Sequence, residues 1–401
     1  MEAEWEQAAK TVAGIGSPGH QQNQIDHCCG IFVDENDNIL IAARNNHRIM
    51  EWKPGARSGQ VIAGGNGPGK DSYQLNQPTD VITDADGKHI LICDSKNNRI
   101  VRWPRRDGQK ADMTIKNISG TALVMDKNGF LYVSDIVNDR VVRYRRTEHG
   151  FEANGTVIAG GNKEGSNCDQ FSSPVNVFIG PSQSLYVSDK GNHRVMKWMD
   201  RTKGVIVAGG HQETKSDTEL NAPCGLFVDS SDNVYVTDYQ RSCVMRFRPK
   251  LKGTIIAGGK DCGNKENQLN HPLGLAIDRN GNLYVSDYGN HRVQRFSIKI
   301  KMYGWRFGKH FIGVKQGENF CLLGINGSGS STIFKMLTEE ISMTNGNAFV
   351  NNYSVIKQLN SVHQNLGYYP QFDALDSLLT VRKHLYFYAR LRGIKRKNIS
   401  F

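Results

Sequence analysis

Apolar and polar residues alternate in a line that recurs six times within the first three hundred residues of the chain. In its clearest form the line reads LYVSD, then a polar turn, then RVQRF. Alternation with a period of two, bounded by glycine, asparagine and aspartate, predicts short antiparallel strands joined by tight turns. The six copies lie at residues 38–52, 90–103, 131–144, 185–198, 234–247 and 283–296.

Two further apolar segments accompany most copies and predict two more strands in each unit. One is similar to GLAID and precedes the recurring line, and the other is similar to VIAGG. A single four-stranded unit cannot bury both of its faces, whereas units stacked in a ring bury them against one another. The sequence therefore predicts a mainly β fold, a six-bladed β-propeller.

The VIAGG-like segment also predicts how the ring closes. Copies lie near residues 11, 61, 157, 205 and 255, with a weak version, ADMTIKN, near residue 112. The first copy stands before any blade, and none follows Phe296. We therefore expect Thr11–Gly14 to complete the sixth blade beside residues 274–296, which removes the free sheet edges. The same pattern predicts that blade three lacks an Ala-Gly-Gly strand.

The charge of the chain is unevenly distributed. The 401 residues carry a formal net charge of +11. Residues 300–401 contain 13 Lys and Arg against 5 Asp and Glu, which leaves a net charge of only +3 for residues 1–299. A nearly balanced propeller does not supply the concentrated basic face that nucleic acids require, so RNA binding is not favoured.

Composition and spacing also exclude several kinds of protein. The eight cysteines show no C-x-x-C spacing, so neither a zinc finger nor a RING domain is indicated. No apolar run approaches the ~18 residues of a membrane span. The acidic start, MEAEWEQAAK, lacks the apolar core of a secretory signal. We therefore expect no transmembrane segment and a cytoplasmic location with reduced thiols.

The recurring line resembles the NHL repeat family, whose name is nearly spelled by GNHRV at 191–195 and 289–293. Two copies depart from the pattern. Blade one has Ala43 where the others have aspartate, and blade five has Arg241-Ser242-Cys243 in place of the Asn-His-Arg triplet. The resemblance implies binding of a protein or small ligand by loops at one mouth of the ring. RNA-binding and ubiquitin-pathway functions are the alternatives within that family.

The repeated polar residues have a structural and a functional interpretation. An Asp and an Arg stand five residues apart in most copies, as in Asp189 and Arg194, and His47, His193 and His291 share one slot in the turn. A ring of ligand-binding charges is one interpretation; an ion pair within each blade is favoured, because buried charges are usually paired. An aromatic series is expected to pack between blades: Trp52, Trp103, Tyr144, Trp198, Phe247 and Phe296.

A different pattern begins at residue 317. GENFCLLGINGSGSSTIFKML is typical of a buried strand, a glycine-rich turn and a helix, which is the P-loop arrangement. Backbone amides in such a loop bind phosphates. The pattern G-x-x-x-x-G-K-[ST] requires lysine at position 330, and this chain has Ser330. Because a short hydroxyl cannot neutralise the terminal phosphates, we expect ATP binding to be weak at most.

Residues 317–395 are similar to the nucleotide-binding domain of the A-subfamily ATP-binding-cassette (ABC) lipid transporters. The resemblance implies ATP and Mg²⁺ as cofactors and assigns Gln371 to the family's Q-loop glutamine, with Ser331 and Gln371 as candidate Mg²⁺ ligands. The family's Walker B, signature and switch-histidine segments lie beyond Phe401, so no catalytic residue is identified. The candidate nucleotide-binding residues are Gly324, Asn326, Gly327, Ser328, Gly329, Ser330, Ser331, Thr332 and Gln371.

These patterns predict a propeller at 1–298, a linker at 299–316 and a truncated ABC-type nucleotide-binding domain at 317–401. The favoured function is a protein- or ligand-binding scaffold that does not turn over ATP, and therefore not an enzyme. The alternative is ATP binding and hydrolysis as part of an ABC lipid transporter, with the rest supplied by a second nucleotide-binding chain or lost from the gene model. In that case the chain is expected to be membrane-associated.

Overall fold

The computed structural model divides into two compact units, Met1–Lys299 and Ile300–Phe401. It describes residues 4–106, 110–148, 150–200, 202–210, 219–249, 251–259 and 261–299, and in the second unit two short antiparallel strands, Phe349–Val350 and Tyr353–Ser354. The three-part division with a linker at 299–316 stays a prediction.

The first unit is a six-bladed β-propeller, and each blade is a sheet of four antiparallel strands. Blades one, two and three are formed by Cys28–Val33, Ile39–Ala43, Arg48–Trp52 and Gln60–Gly64; by Pro78–Thr83, His89–Asp94, Arg99–Pro104 and Met113–Lys116; and by Gly120–Met125, Leu131–Asp135, Arg140–Tyr144 and Thr156–Gly160. Blades four and five are formed by Pro174–Ile179, Leu185–Asp189, Arg194–Trp198 and Gly204–Gly209, and by Pro223–Val228, Val234–Asp238, Cys243–Phe247 and Thr254–Gly258.

Blade six joins both ends of the propeller sequence. Its first three strands are Pro272–Ile277, Leu283–Asp287 and Arg292–Phe296, and its fourth is Lys10–Ala13. The predicted closure by an N-terminal strand is therefore confirmed. A second pair, Glu4–Trp5 with Ile298–Lys299, extends the junction, and Trp5 donates its indole N–H to the carbonyl of Gly281 at 2.8 Å. The free edges of the first and last blades are thereby removed.

One prediction about the blades is wrong. Blade three has its Ala-Gly-Gly strand, Thr156–Gly160, while the strand without it, Met113–Lys116, belongs to blade two. The reason is topological: each glycine-rich segment pairs with the third strand that precedes it, not with the blade that follows.

The core lies between the blades. Each hydrophobic cluster combines residues of two neighbours; Trp52 of blade one, for example, packs in one cluster with Tyr284 of blade six. The predicted packing of the aromatic series between blades is confirmed, because all six side chains are buried and each belongs to one of these clusters. The backbone at residue 59 lies directly against the Trp52 ring, and only glycine fits there, since a Cβ would lie 2.3 Å from a ring carbon.

Short 3₁₀ turns follow the second strand in three blades, at Ser95–Asn97, Lys190–Asn192 and Tyr288–Asn290. Within the described residues, no helix has the length and apolar character required to traverse a bilayer.

Candidate functional site

The repeated aspartate and arginine form an ion pair within the blade. The arginine Nε lies close to a carboxylate oxygen in four blades: 2.6 Å for Arg99 and Asp94, 2.9 Å for Arg140 and Asp135, and 2.7 Å for both Arg194 with Asp189 and Arg292 with Asp287. All four aspartate side chains are fully buried. These charges are therefore engaged within the blades, as the structural interpretation predicts.

The ion pair also anchors the loop that leads into each blade. In blade four, Arg194 donates to the carbonyls of Ser166 and Gln170 at 2.6 and 2.9 Å. Asp189 accepts the backbone N–H of Ser172 at 2.7 Å. One buried pair thus connects the turn after the second strand with the segment before the first.

The two departures from the repeat have different consequences. In blade five the arginine that faces the aspartate stands three residues after it instead of five. The Nε of Arg241 lies 3.7 Å from Asp238 Oδ2. In blade one, Ala43 replaces the aspartate, and Arg48 has no carboxylate partner among the described residues. Arg48 still donates to backbone carbonyls, including that of His20 at 2.8 Å, but its buried Nε has no hydrogen-bond partner in that part of the chain.

Two of the repeated histidines form hydrogen bonds to the neighbouring blade. His47 accepts the backbone N–H of Gln77 from blade two at 3.1 Å, and His291 accepts that of His27 from blade one at 3.2 Å. Burial lowers the pKa of both His47 and His291, which favours the neutral imidazole that this acceptor role requires. His193 differs, because its buried Nδ1 has no hydrogen-bond partner among the residues that the structure describes.

Two positions in each blade frame one end of the ring, which we call the upper mouth. They are the residue after the second strand and the residue before the first. The former are Arg44, Ser95, Ile136, Lys190, Tyr239 and Tyr288, and the latter are His27, Gln77, Ser119, Ser173, Ala222 and His271.

An aromatic and cationic arc crosses blades four, five, six and one at the upper mouth. The Lys190 ammonium lies 4.8 Å from the ring centre of Tyr239. The Tyr239 ring is 6.4 Å from that of Tyr288 and 4.5 Å from that of His271. The Tyr288 ring is 4.4 Å from that of His27. All five side chains are half-buried, so the arc offers both ring faces and polar atoms to a ligand.

Arg44 supplies the second cation of the arc. One of its guanidinium nitrogens lies 3.4 Å from the amide oxygen of Gln77, and its positive charge opposes the rise in the pKa of Tyr288. Burial raises the pKa of both Tyr239 and Tyr288, so both phenols are neutral donors near pH 7. Neither Arg44 nor Lys190 forms an ion pair with a carboxylate among the described residues.

Below the mouth the inner strands pack closely. A Cβ at Gly225 would lie 2.3 Å from the carbonyl oxygen of Leu273, and one at Gly274 would lie 2.6 Å from that of Cys29. Neighbouring inner strands of blades five, six and one therefore leave no room for an added side chain at these two positions.

A groove of about 1480 Å³ lies at the other end of blades one, two and six. Its Arg105 is bonded to both Asp34 and Glu51, and its His89 lies 2.9 Å from a carboxylate oxygen of Asp84. Arg105 and His89 are thus paired with carboxylates of the groove, unlike Arg44 and Lys190 at the upper mouth.

The predicted phosphate-binding residues lie outside the described residues. This holds for the whole set: Gly324, Asn326, Gly327, Ser328, Gly329, Ser330, Ser331, Thr332 and Gln371. Sequence reasoning placed ligand binding at one mouth but did not rank its loops. A usable signal was present: the residue after the second strand differs between most blades within an otherwise repeated frame.

Comparison with known families matches both parts of the chain. Residues 269–296 match the NHL repeat, and residues 311–399 match the ABC transporter family. The second match begins inside the segment predicted to be a linker.

Curated relatives of the C-terminal segment are ABC A-subfamily proteins. It is 56% identical over 89 residues to the retinal-specific phospholipid-transporting ATPase ABCA4 of Mus musculus, and 58% identical over 87 residues to ATP-binding cassette sub-family A member 2 of Rattus norvegicus. Each alignment covers 22% of this chain and 4% of the relative. The chain therefore spans only a small part of the length of these relatives.

Solved structures resemble the propeller in fold. A structural genomics protein of unknown function from Bacteroides thetaiotaomicron has a TM-score of 0.58 at 14% identity, covering 74% of this chain and 77% of its own. An auxiliary nutrient binding protein from the same organism has a TM-score of 0.55 at 16% identity, with coverage of 74% and 77%. At these identities the likeness concerns the fold alone. The chain thus combines a six-bladed propeller that carries NHL repeats with a C-terminal segment similar to the nucleotide-binding region of ABC A-subfamily transporters.

Proposed function

We propose that the chain is a binding scaffold whose upper mouth receives an anionic group of a partner protein or small ligand. The observation that carries the proposal is the pair of cations, Arg44 and Lys190, each beside a tyrosine and without a carboxylate partner among the described residues. A half-buried cation loses hydration, and an incoming carboxylate or phosphate would compensate for that loss.

The neighbouring rings extend the surface for a ligand. Tyr239, Tyr288, His27 and His271 provide adjacent ring faces and hydrogen-bonding atoms on three blades. Tyrosine and arginine are the residue types that contribute most to binding energy at protein interfaces. The nearly balanced charge of residues 1–299 supports an acidic protein segment or a small anion as ligand, rather than RNA.

Titration of a labelled acidic peptide tests this function. Fluorescein-labelled hexaglutamate is added to the full chain and followed by fluorescence polarisation, with hexalysine as the negative probe and citrate as a competing small anion. Replacing Arg44 or Lys190 by alanine is expected to weaken binding about 10- to 100-fold, because a charge-assisted hydrogen bond contributes about 1.5–3 kcal/mol.

A matched control separates the site from general charge. Arg143 also lies over an aromatic ring, 4.6 Å from the centre of Phe130, but it is on the third strand of blade three rather than at the mouth. Arg143→Ala is expected to leave hexaglutamate binding unchanged. Equal losses in all three variants, or equal binding of hexalysine and hexaglutamate, would contradict the proposal.

For residues 311–399 we infer ATP binding that is weak at most, without turnover. Ser330 supports this, since the Walker A position that carries lysine in the motif has only a hydroxyl here. Gly324, Asn326, Gly327, Ser328, Gly329 and Thr332 would contact the phosphates, and Ser331 and Gln371 would hold Mg²⁺. The identity to phospholipid-transporting ATPases supports one alternative, ATP hydrolysis together with a second nucleotide-binding chain. Steady-state ATPase assay of the purified chain distinguishes the two.

A further inference from the structure

The loop that leads into a blade is held by the same hydrogen bonds in four blades. In blade two, the Arg99 guanidinium donates to the backbone carbonyls of Lys70 and Gln74 at 2.6 and 2.9 Å. The Asn97 amide donates to the carbonyl of Gly69 at 2.7 Å. The equivalent bonds in blades one, four and six are made by Asn46 and Arg48, by Asn192 and Arg194, and by Asn290 and Arg292.

The link into blade three is too short to form this loop. The fourth strand of blade two ends at Lys116, and the first strand of blade three begins at Gly120, so only residues 117–119 join them. The loops of the four blades above are residues 14–27, 65–77, 161–173 and 259–271.

Blade three nevertheless keeps the groups that hold a loop elsewhere. Arg140 Nε and the Asn138 amide both donate to Oδ2 of Asp135 at 2.9 Å, as in the other blades. Among the described residues, however, the terminal nitrogens of Arg140 have no hydrogen-bond partner, and the buried Oδ1 of Asp135 has none. The backbone N–H of Ile118, which corresponds to the donor that this oxygen has elsewhere, donates to the carbonyl of Asn98 at 3.1 Å.

The short link leaves the binding groups open to solvent. The Arg140 side chain is 32% exposed, whereas those of Arg99, Arg194 and Arg292 are 13%, 4% and 10% exposed. Asn138 is also exposed, although the asparagine at the same position is buried in blades one and six. Unpaired N–H donors of blade three are therefore accessible to another molecule.

An exposed apolar side chain stands in the same turn. Val137 is 70% exposed. The residues at its position in the other blades are Asn45, Lys96, Gly191, Gln240 and Gly289. Blade three thus offers an apolar contact beside its free donors, and we call Val137, Asn138 and Arg140 the blade-three socket.

The charge of the socket favours peptide carbonyls over an anion. The Arg140 guanidinium is already paired with the Asp135 carboxylate, which would repel a second negative group. In blades two, four and six, the terminal nitrogens of the paired arginine donate to backbone carbonyls of the loop. The same fork in blade three is therefore arranged for neutral carbonyl oxygens.

We propose that the blade-three socket binds a loop of a partner protein. Backbone carbonyls of that loop accept hydrogen bonds from Arg140 and Asn138, and one of its apolar side chains packs on Val137. The partner's loop thereby takes the place that the chain's own loops have in four other blades. The site does not depend on the anionic ligand proposed for the upper mouth, because the arc that carries that ligand lies on blades four, five, six and one.

A cyclic copy of one of the chain's own loops is the probe. The Gln74 amide donates to the carbonyl of Asn66 at 3.1 Å, so the two ends of residues 66–75 lie together and can be joined by a peptide bond. The charges of Lys70 and Asp71 cancel, which makes the peptide neutral. The fluorescein-labelled cyclic peptide is titrated with the full chain and followed by fluorescence polarisation. Saturable binding to one site is expected, and its absence would overturn the proposal.

Two substitutions test which groups bind the peptide. Arg140→Lys keeps a cation beside Asp135 but removes the fork of N–H donors, so it is expected to weaken binding about 10-fold or more. Val137→Ser is expected to weaken binding about fivefold, because it removes apolar contact area. Arg194→Lys is the matched control and should leave binding unchanged, since its terminal nitrogens already bind the loop at 161–173.

Thermal melting checks that each variant is folded. Unchanged affinity in folded Arg140→Lys, or an equal loss in Arg194→Lys, would overturn the proposal. So would displacement of the peptide by hexaglutamate in the unchanged chain but not in Arg140→Lys, because the socket would then bind an anion.

A loop graft tests the site without removing any of its groups. Replacing residues 117–119 by residues 65–77 supplies blade three with a loop of its own. The folded graft is expected to lose peptide binding, because its own carbonyls then occupy Arg140 and Asn138. Undiminished binding by the folded graft would contradict the assignment.

Discussion

Replacing Asp80 by asparagine is expected to stabilise the propeller at neutral pH but much less in acid. Asp80 lies on the first strand of blade two, is 8% exposed, and accepts the backbone N–H of Leu123 at 2.8 Å. It has no ion-pair partner among the described residues. Burial raises the pKa of its carboxyl from 3.8 to about 7, although backbone hydrogen bonds from Leu123 and Val81 oppose the shift.

The sign of the effect follows from proton linkage. The folded carboxyl keeps its proton up to about pH 7, whereas the unfolded one loses it near pH 4, so the folded state binds more protons in this window. Stability therefore falls as the pH rises from about 4 to about 7. A shift of about three pKa units corresponds to about 4 kcal/mol across the window.

An asparagine at position 80 should keep an oxygen that accepts the Leu123 N–H, and it removes the carboxyl group that titrates. The same strand position in blade four is occupied by Asn176, so the fold accommodates this side chain. The difference in unfolding free energy between Asp80→Asn and the unchanged chain is therefore expected to grow by up to about 4 kcal/mol from pH 4 to pH 8.

Urea unfolding followed by tryptophan fluorescence measures this difference at several pH values. Asp261 is exposed, and Asp261→Asn serves as the control for removal of a surface carboxylate. A difference for Asp80→Asn that does not change with pH would refute the assignment of a raised pKa to this carboxyl.

Three other predictions concern the fold and the C-terminal segment. Deleting residues 1–16 should lower the melting temperature sharply, because it removes the closing strand and the buried Trp5; an unchanged melting temperature would refute the closure. Asp189→Ala should cost about 3–5 kcal/mol in urea unfolding, because it leaves Arg194 buried without its carboxylate, and a cost near zero would contradict the role of the ion pair. Ser330→Lys should tighten binding of a fluorescent ATP analogue, and equal affinity in both proteins would show that this position does not limit binding.

The architecture was predictable because every blade repeats the same strand pattern in the same phase. Six copies of three strands and one displaced segment at residue 11 leave a single way to close the ring. The assignment of the strand at residue 112 was wrong, although closure by the segment at residue 11 already implies that each later segment completes the blade before it. The observed register with Arg99–Pro104 shows that pairing.

The sites were less predictable because they depend on residues that do not repeat. Tyr239, Tyr288, Arg44 and Lys190 belong to four different blades, and nothing in the linear sequence shows that their side chains lie together. The short link at 117–119 is visible in the sequence. Its meaning required the structure, which shows the terminal nitrogens of Arg140 without a partner among the described residues.

The most direct test of the central claim, that the upper mouth is an anion-binding surface, is the affinity of the Arg44→Ala, Lys190→Ala double variant for hexaglutamate. If both cations contact the ligand, the double variant should lose about 100-fold or more in affinity, while Arg143→Ala binds as tightly as the unchanged chain. The difference should shrink at high salt, because exposed charge interactions are screened. An unchanged affinity in the folded double variant would contradict the account.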